Sequence, residues 1–122
     1  MKRLVLVSLF FFSGFASAIS PLEIQKYSAQ QELLSAVQRV DSIDGDSDRW
    51  MEHFSKMSSL VEDAAGKSLH NGDSCGQFES KLKQVPDTSK DDNPVLERAM
   101  KTLNQKWISY GVSYCKWLAD TN

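Results

Sequence analysis

The sequence predicts an all-α protein, a single small four-helix bundle-like domain held by one disulfide. Three observations carry that expectation. Apolar residues recur at helical spacing through four segments, Pro and Ser mark helix starts between them, and only two cysteines, Cys75 and Cys115, occur in 122 residues. Almost nothing along the chain looks like a strand.

The first eighteen residues, MKRLVLVSLFFFSGFASA, are read separately. Lys2 and Arg3 form a charged start, Leu4 to Phe12 is apolar apart from Ser8, and Ala16-Ser17-Ala18 is an A-x-A cleavage site. These are the three parts of a secretory signal peptide, and the apolar run falls well short of the roughly 20 residues a membrane-spanning helix needs. The expected organisation is therefore a signal peptide at 1–18 and a helical domain at 19–122, in the periplasm. Removing 18 of 122 residues leaves 104, enough for one small domain. It also removes two of the 14 basic residues and none of the 16 acidic ones, so the remaining chain carries a formal net charge of −4. That balance argues against nucleic acid or an anionic membrane surface as the partner and is compatible with a basic protein.

An oxidising compartment favours a Cys75–Cys115 bridge over free thiols or an intermolecular link. The closed loop of about 41 residues corresponds to roughly 4 kcal/mol in the chain-entropy estimate. A structural zinc site is not expected, because His53 and His70 are not at ligand spacing from either cysteine or from each other.

Each helix has its own start signal. Ser20-Pro21-Leu22-Glu23 reads as a capping box with proline at the first helical position, and Ala29, Leu33, Ala36, Val37, Val40 and Ile43 follow on one face. The acidic, glycine-containing DSIDGDSD ends that helix, and Asp46 to Asp48 suit the start of the second. Its stripe is Trp50, Phe54, Met57, Val61 and Ala64, flanked by Leu60 and Ala65, with a stop at Asn71-Gly72 or an earlier bend at Gly66. A weaker capping box at Ser74 and Gln77 opens a short third helix with Cys75, Phe78, Leu82 and Val85 on its apolar side. PDTSKDDN is a polar connector, and Pro94 opens a long last helix with Leu96, Met100, Leu103, Trp107, Gly111, Tyr114 and Leu118 in line. Ile108, Tyr110, Val112, Cys115 and Trp117 widen that stripe, leaving Lys106, Ser109, Ser113, Lys116 and Asp120 as a narrow polar line. Such a helix is either central to the domain or covered by another chain.

Short connections favour antiparallel neighbours, which sets the beginning of the third helix against the end of the fourth. At 1.5 Å per residue, Cys75 to Val85 rises about 15 Å and Pro94 to Cys115 about 31 Å. The connector has to climb the difference, which explains its length.

Reaction chemistry is not legible. There is no H-E-x-x-H, G-x-S-x-G, phosphate loop, haem attachment site or calcium loop, and neither histidine has a glutamate three residues before it. His53 and Met57 lie four apart, a spacing shared by haem ligands and by ordinary core pairs, and the DSIDGDSD acids are either a weak cation site or a solvated loop. The expectation is a protein that is not an enzyme, with no catalytic residue, cofactor or metal, acting by binding. Asp44, Asp46, Asp48, Arg49 and Trp50 form the candidate partner-binding patch, where charge and an aromatic anchor meet beside a loop; the alternative places Trp50 in the core.

The stretches ISPLEIQKYSAQQELLSAVQ, NGDSCGQF and SYCKWLADTN resemble the small periplasmic immunity proteins that protect bacteria from type VI secretion effectors, a toxin–antitoxin arrangement. In particular the chain is similar to partners of lysozyme-like peptidoglycan hydrolases carried on a secreted spike. The resemblance implies binding and inhibition of the effector by blocking its active-site cleft, with no nucleic acid or membrane partner, and it allows a homodimer. No binding residue transfers with it. The competing expectation is a periplasmic helical protein that binds a small ligand or a metal.

Overall fold

The structure is a computed structural model and describes residues 20–121; the signal peptide expected at 1–18 lies outside the described residues. Four helices follow in order: α1 (Pro21–Asp44), α2 (Ser47–His70), α3 (Cys75–Gln84) and α4 (Pro94–Thr121). No strand occurs among the described residues.

Local chemistry sets the boundaries. Ser20 Oγ accepts from the Glu23 N–H at 3.1 Å and Pro21 follows at the first helical position, so α1 starts where the sequence marks it. The helix stops because Gly45 takes a left-handed conformation at φ 81° and donates its N–H to the Asp41 carbonyl at 2.7 Å. Asp46 then caps α2, its carboxylate accepting from the Arg49 N–H. Gly66 neither ends nor bends this helix, which runs on to His70 before Gly72 turns the chain at φ 91°. The box at Ser74 is fully reciprocal: Ser74 Oγ accepts from the Gln77 N–H, and Gln77 Oε1 accepts from the Ser74 N–H at 2.7 Å. The weaker of the two boxes in sequence is thus closed from both sides. At α4, Asn93 Oδ1 accepts from the Val95 N–H at 3.0 Å.

The helices form a ring in which α1 touches α2 and α4, and α3 touches α2 and α4, while α1 and α3 do not meet. Lys106 on α4 pairs with Glu32 on α1, and Lys26 near the start of α1 lies over the Trp117 ring near the end of α4, so these two helices are antiparallel. Helices α2 and α4 run parallel, with Phe54 beside Trp107, Tyr110 bonded to Glu62 and Gly66 facing Leu118. This is the up-down order expected from short connections. Because α3 has only ten residues, α2 and α4 approach each other directly across the ring. Helix α4 touches all three others, which accounts for its wide apolar surface.

Two clusters fill the interior. The larger joins Leu33, Val37 and Val40 of α1 to Trp50 and Val61 of α2 and to Leu96, Leu103, Trp107 and Tyr110 of α4. The smaller joins Ala65, Phe78 and Cys115, with Leu69, Cys75 and Leu82 against it. Three stripe positions fall elsewhere than expected. Leu60 is 61% exposed, Ala64 is exposed, and Val85 sits just beyond α3 at 64% exposure. The parallel approach of α2 to α4 turns the Val61–Ala65 edge inward and leaves Leu60 and Ala64 on the rim. At Gly111 a β-carbon would stand 2.9 Å from Val61 Cγ1 and 3.0 Å from Leu82 Cδ1, so glycine is what lets α2 and α3 close on α4.

The expected disulfide is formed. Cys75 and Cys115 are bonded with their Cα atoms 5.8 Å apart, tying the start of α3 to the end of α4. No described helix is long and apolar enough to cross a membrane.

Candidate functional site

The short third helix creates the site. Leu82 stands level with Gly111 on α4, and α3 ends two residues later at Gln84, so the earlier turns of α4 lack a helical neighbour on that side. The opening is a groove of about 290 Å³. Helix α2 lines it with Trp50, His53 and Met57, and α4 with Met100, Leu103, Asn104 and Trp107. The connector closes the remaining side with Thr88, Ser89 and Lys90.

That connector is built from successive side-chain-to-backbone turns. Asp87 Oδ1 accepts from the Ser89 N–H at 2.9 Å, and Asp91 Oδ1 accepts from the Asn93 N–H at 2.9 Å. The Asp91 N–H donates to Glu97 Oε1 on the first turn of α4. Two of these acids are favoured in their charged form. The Ser89 hydroxyl and N–H keep the Asp87 carboxyl below its ordinary value, and the Asp91 N–H does the same for Glu97.

The candidate patch gathers around one turn, with one correction. Trp50 is only 6% exposed and belongs to the larger cluster, so it is a core residue and not an exposed anchor. Its N–H donates to Asp44 Oδ2 at 2.7 Å, and the Arg49 guanidinium lies 4.9 Å from its ring and 3.5 Å from the same carboxylate. Asp44 and Arg49 thus compensate each other over the buried indole. Asp46 is spent partly on capping, and Asp48 is exposed on the first turn of α2.

His53 stands edge-on to both tryptophans, at 5.5 Å from Trp50 and 6.2 Å from Trp107. Burial lowers its pKa and the Arg49 charge lowers it further, so the imidazole is neutral at neutral pH. Trp107 is 5% exposed, and its indole N–H has no acceptor. Such a donor is costly to bury unmet. Met57 and Met100 supply adaptable walls, since an unbranched thioether side chain repacks with little strain.

Charge is distributed unevenly. Helices α2 and α4 run parallel, so the turn between α1 and α2 and the connector before α4 lie at the same end of the bundle. Residues 44–50 and 86–93 carry six aspartates (44, 46, 48, 87, 91 and 92) against Arg49 and Lys90, a net of −4. The other ten acidic and ten basic side chains of the described residues cancel. The whole net charge of the described residues therefore sits on two segments, the α1–α2 turn with its adjoining helix ends and the connector before α4.

Sequence reasoning singled out the turn between α1 and α2 and did not predict the groove, because Trp107, Met100 and Leu103 carry the same helical spacing as core residues. The usable signal was the mismatch between a ten-residue and a 28-residue neighbour. Among the described residues no group of three or more His, Cys, Asp and Glu side chains is placed to hold a metal. No family model matches this sequence, and no curated protein and no solved structure is similar enough to it to count as a match.

Proposed function

We propose that this chain is a periplasmic immunity protein that binds a lysozyme-like peptidoglycan hydrolase delivered by a type VI secretion system and inhibits it by occluding its active-site cleft. The observation that carries the reading is the polarised bundle: a disulfide-tied scaffold in which the net charge of −4 of the described residues lies on two segments, 44–50 and 86–93, at one end. A one-signed end on a rigid support speeds encounter with a basic partner and fixes its orientation. The Cys75–Cys115 bridge suits an oxidising compartment such as the periplasm. On this reading the protein needs no cofactor and performs no turnover.

The test is direct. The oxidised chain from Ile19 is mixed with the effector's hydrolase domain, and peptidoglycan turbidity is followed beside size-exclusion chromatography. Stoichiometric inhibition with a co-eluting complex is the expected result. An active hydrolase that ignores a folded, oxidised protein would overturn the reading.

One observation favours a second reading, a periplasmic small-ligand carrier. The groove holds about 290 Å³ and has two tryptophans, two methionines and a leucine among its walls. That reading expects a small molecule to stay with the purified protein in native mass spectrometry.

A further inference from the structure

The groove and the loops beside it form one surface, and nothing so far says what enters it. We propose that the groove between α2, α4 and the connector is a slot for a basic segment of the partner protein, which inserts an apolar side chain while its cations meet the two acidic loops. This rests on the inhibitor reading above and names the surface that reading leaves open.

Two features select that occupant. The walls are apolar and aromatic at Trp50, Met57, Leu103 and Trp107, so the inserted group is apolar. No carboxylate lines the groove, but Asp46 and Asp48 precede its lining residue Trp50 in sequence and Asp87, Asp91 and Asp92 flank its lining residues 88–90, outnumbering Lys90 once Arg49 is paired to Asp44, so the flanking residues of the occupant are cationic. Met57 and Met100 are the side chains that shift to admit it. A free cation does not use the apolar walls, and a neutral small molecule does not use the acidic segments. The slot also gives the connector a purpose beyond spanning the length difference: Thr88 to Lys90 form its third wall.

The experiment measures affinity for the effector's hydrolase domain with four proteins, each first shown to be folded by circular dichroism and thermal melting. They are the wild type, Asn104→Phe, the double variant Asp48→Lys/Asp92→Lys, and the control Asp63→Lys/Asp120→Lys. Asn104 lines the groove, and phenylalanine there fills it. Asp48 and Asp92 are exposed and cap nothing, and the control changes net charge equally at sites away from the slot. The slot predicts that Asn104→Phe weakens binding by at least about tenfold at any salt concentration. The double loop variant weakens it by a similar factor that shrinks as salt rises, while the control stays within about threefold. A wild type that binds while both slot variants bind equally well overturns the slot and leaves the inhibitor reading standing. A wild type that does not bind overturns both. A small molecule found in the groove of the purified protein also overturns the slot and favours the carrier.

Discussion

The two ends of this bundle solve opposite problems. At the end where α3 begins, the buried cluster is small, Ala65, Phe78 and Cys115, and the chain adds a covalent tie. At the other end the cluster is large and needs no bridge, yet a half-buried imidazole and an unmet indole N–H lie beside an open groove. One end is closed at the expense of reactivity toward anything outside. The other keeps polar demand unmet beside a concentrated negative charge. The covalent tie and the concentrated charge thus lie at different places, and on the proposed reading the charged end is the one that meets a partner.

Breaking the tie is the largest expected effect. Cys75→Ser/Cys115→Ser should lose about 4 kcal/mol, read as a lower midpoint in denaturant. Hydrogen exchange should locate the loss: residues 75–84 should lose protection first while 33–40 and 99–110 keep theirs, and an even loss across all helices would contradict the two-ended account. Truncating the larger cluster comes next. Leu33 is fully buried, so Leu33→Ala should cost about 3 kcal/mol in the same melt, in oxidised and reduced protein alike, because its cluster does not depend on the bridge.

The two helical glycines facing other elements sharpen the contrast. Gly111→Val should destabilise by about 2 kcal/mol, since even its Cβ meets the stiff Val61 side chain at 2.9 Å. Gly66→Ala should raise stability by up to about 1 kcal/mol, because its Cβ would find Leu118 at an ordinary 3.8 Å and helix propensity improves. A gain at Gly111 or a loss at Gly66 would mean that the helices pack differently there.

The smallest effect belongs to the groove. His53 has its pKa lowered by burial and by Arg49, so the unfolded chain takes up a proton at a higher pH than the folded one. Its contribution is present above the ordinary histidine range and is lost as pH falls from about 6.5 through the lower folded value. His53→Gln should flatten that part of a melting-temperature profile. An unchanged slope would show that the imidazole is solvated.

Much of the fold was legible. Ser20, Pro21, Ser74 and Pro94 announce helix starts by chemistry that acts within four residues, and two cysteines in 122 residues leave one intramolecular pairing. What escaped depends on tertiary geometry. Ala64 and Ala65 are identical in sequence terms, and only the parallel approach of α2 to α4 decides that Ala65 is buried and Ala64 exposed. Trp50 was marked by its neighbours Asp44 and Arg49, but the same neighbours compensate its N–H and roof its ring, which makes it core. Trp107 reads as a stripe residue, and its unmet donor depends on what is absent around it. The meeting of 44–50 with 86–93 at one end follows from topology alone.

Hydrogen–deuterium exchange of the oxidised protein, alone and with the effector's hydrolase domain, tests the division of labour most directly. The account predicts new protection in 44–57 and 86–107, with 67–80 and 112–121 unchanged. Protection gained at the disulfide end, with the acidic loops exchanging as before, would contradict it.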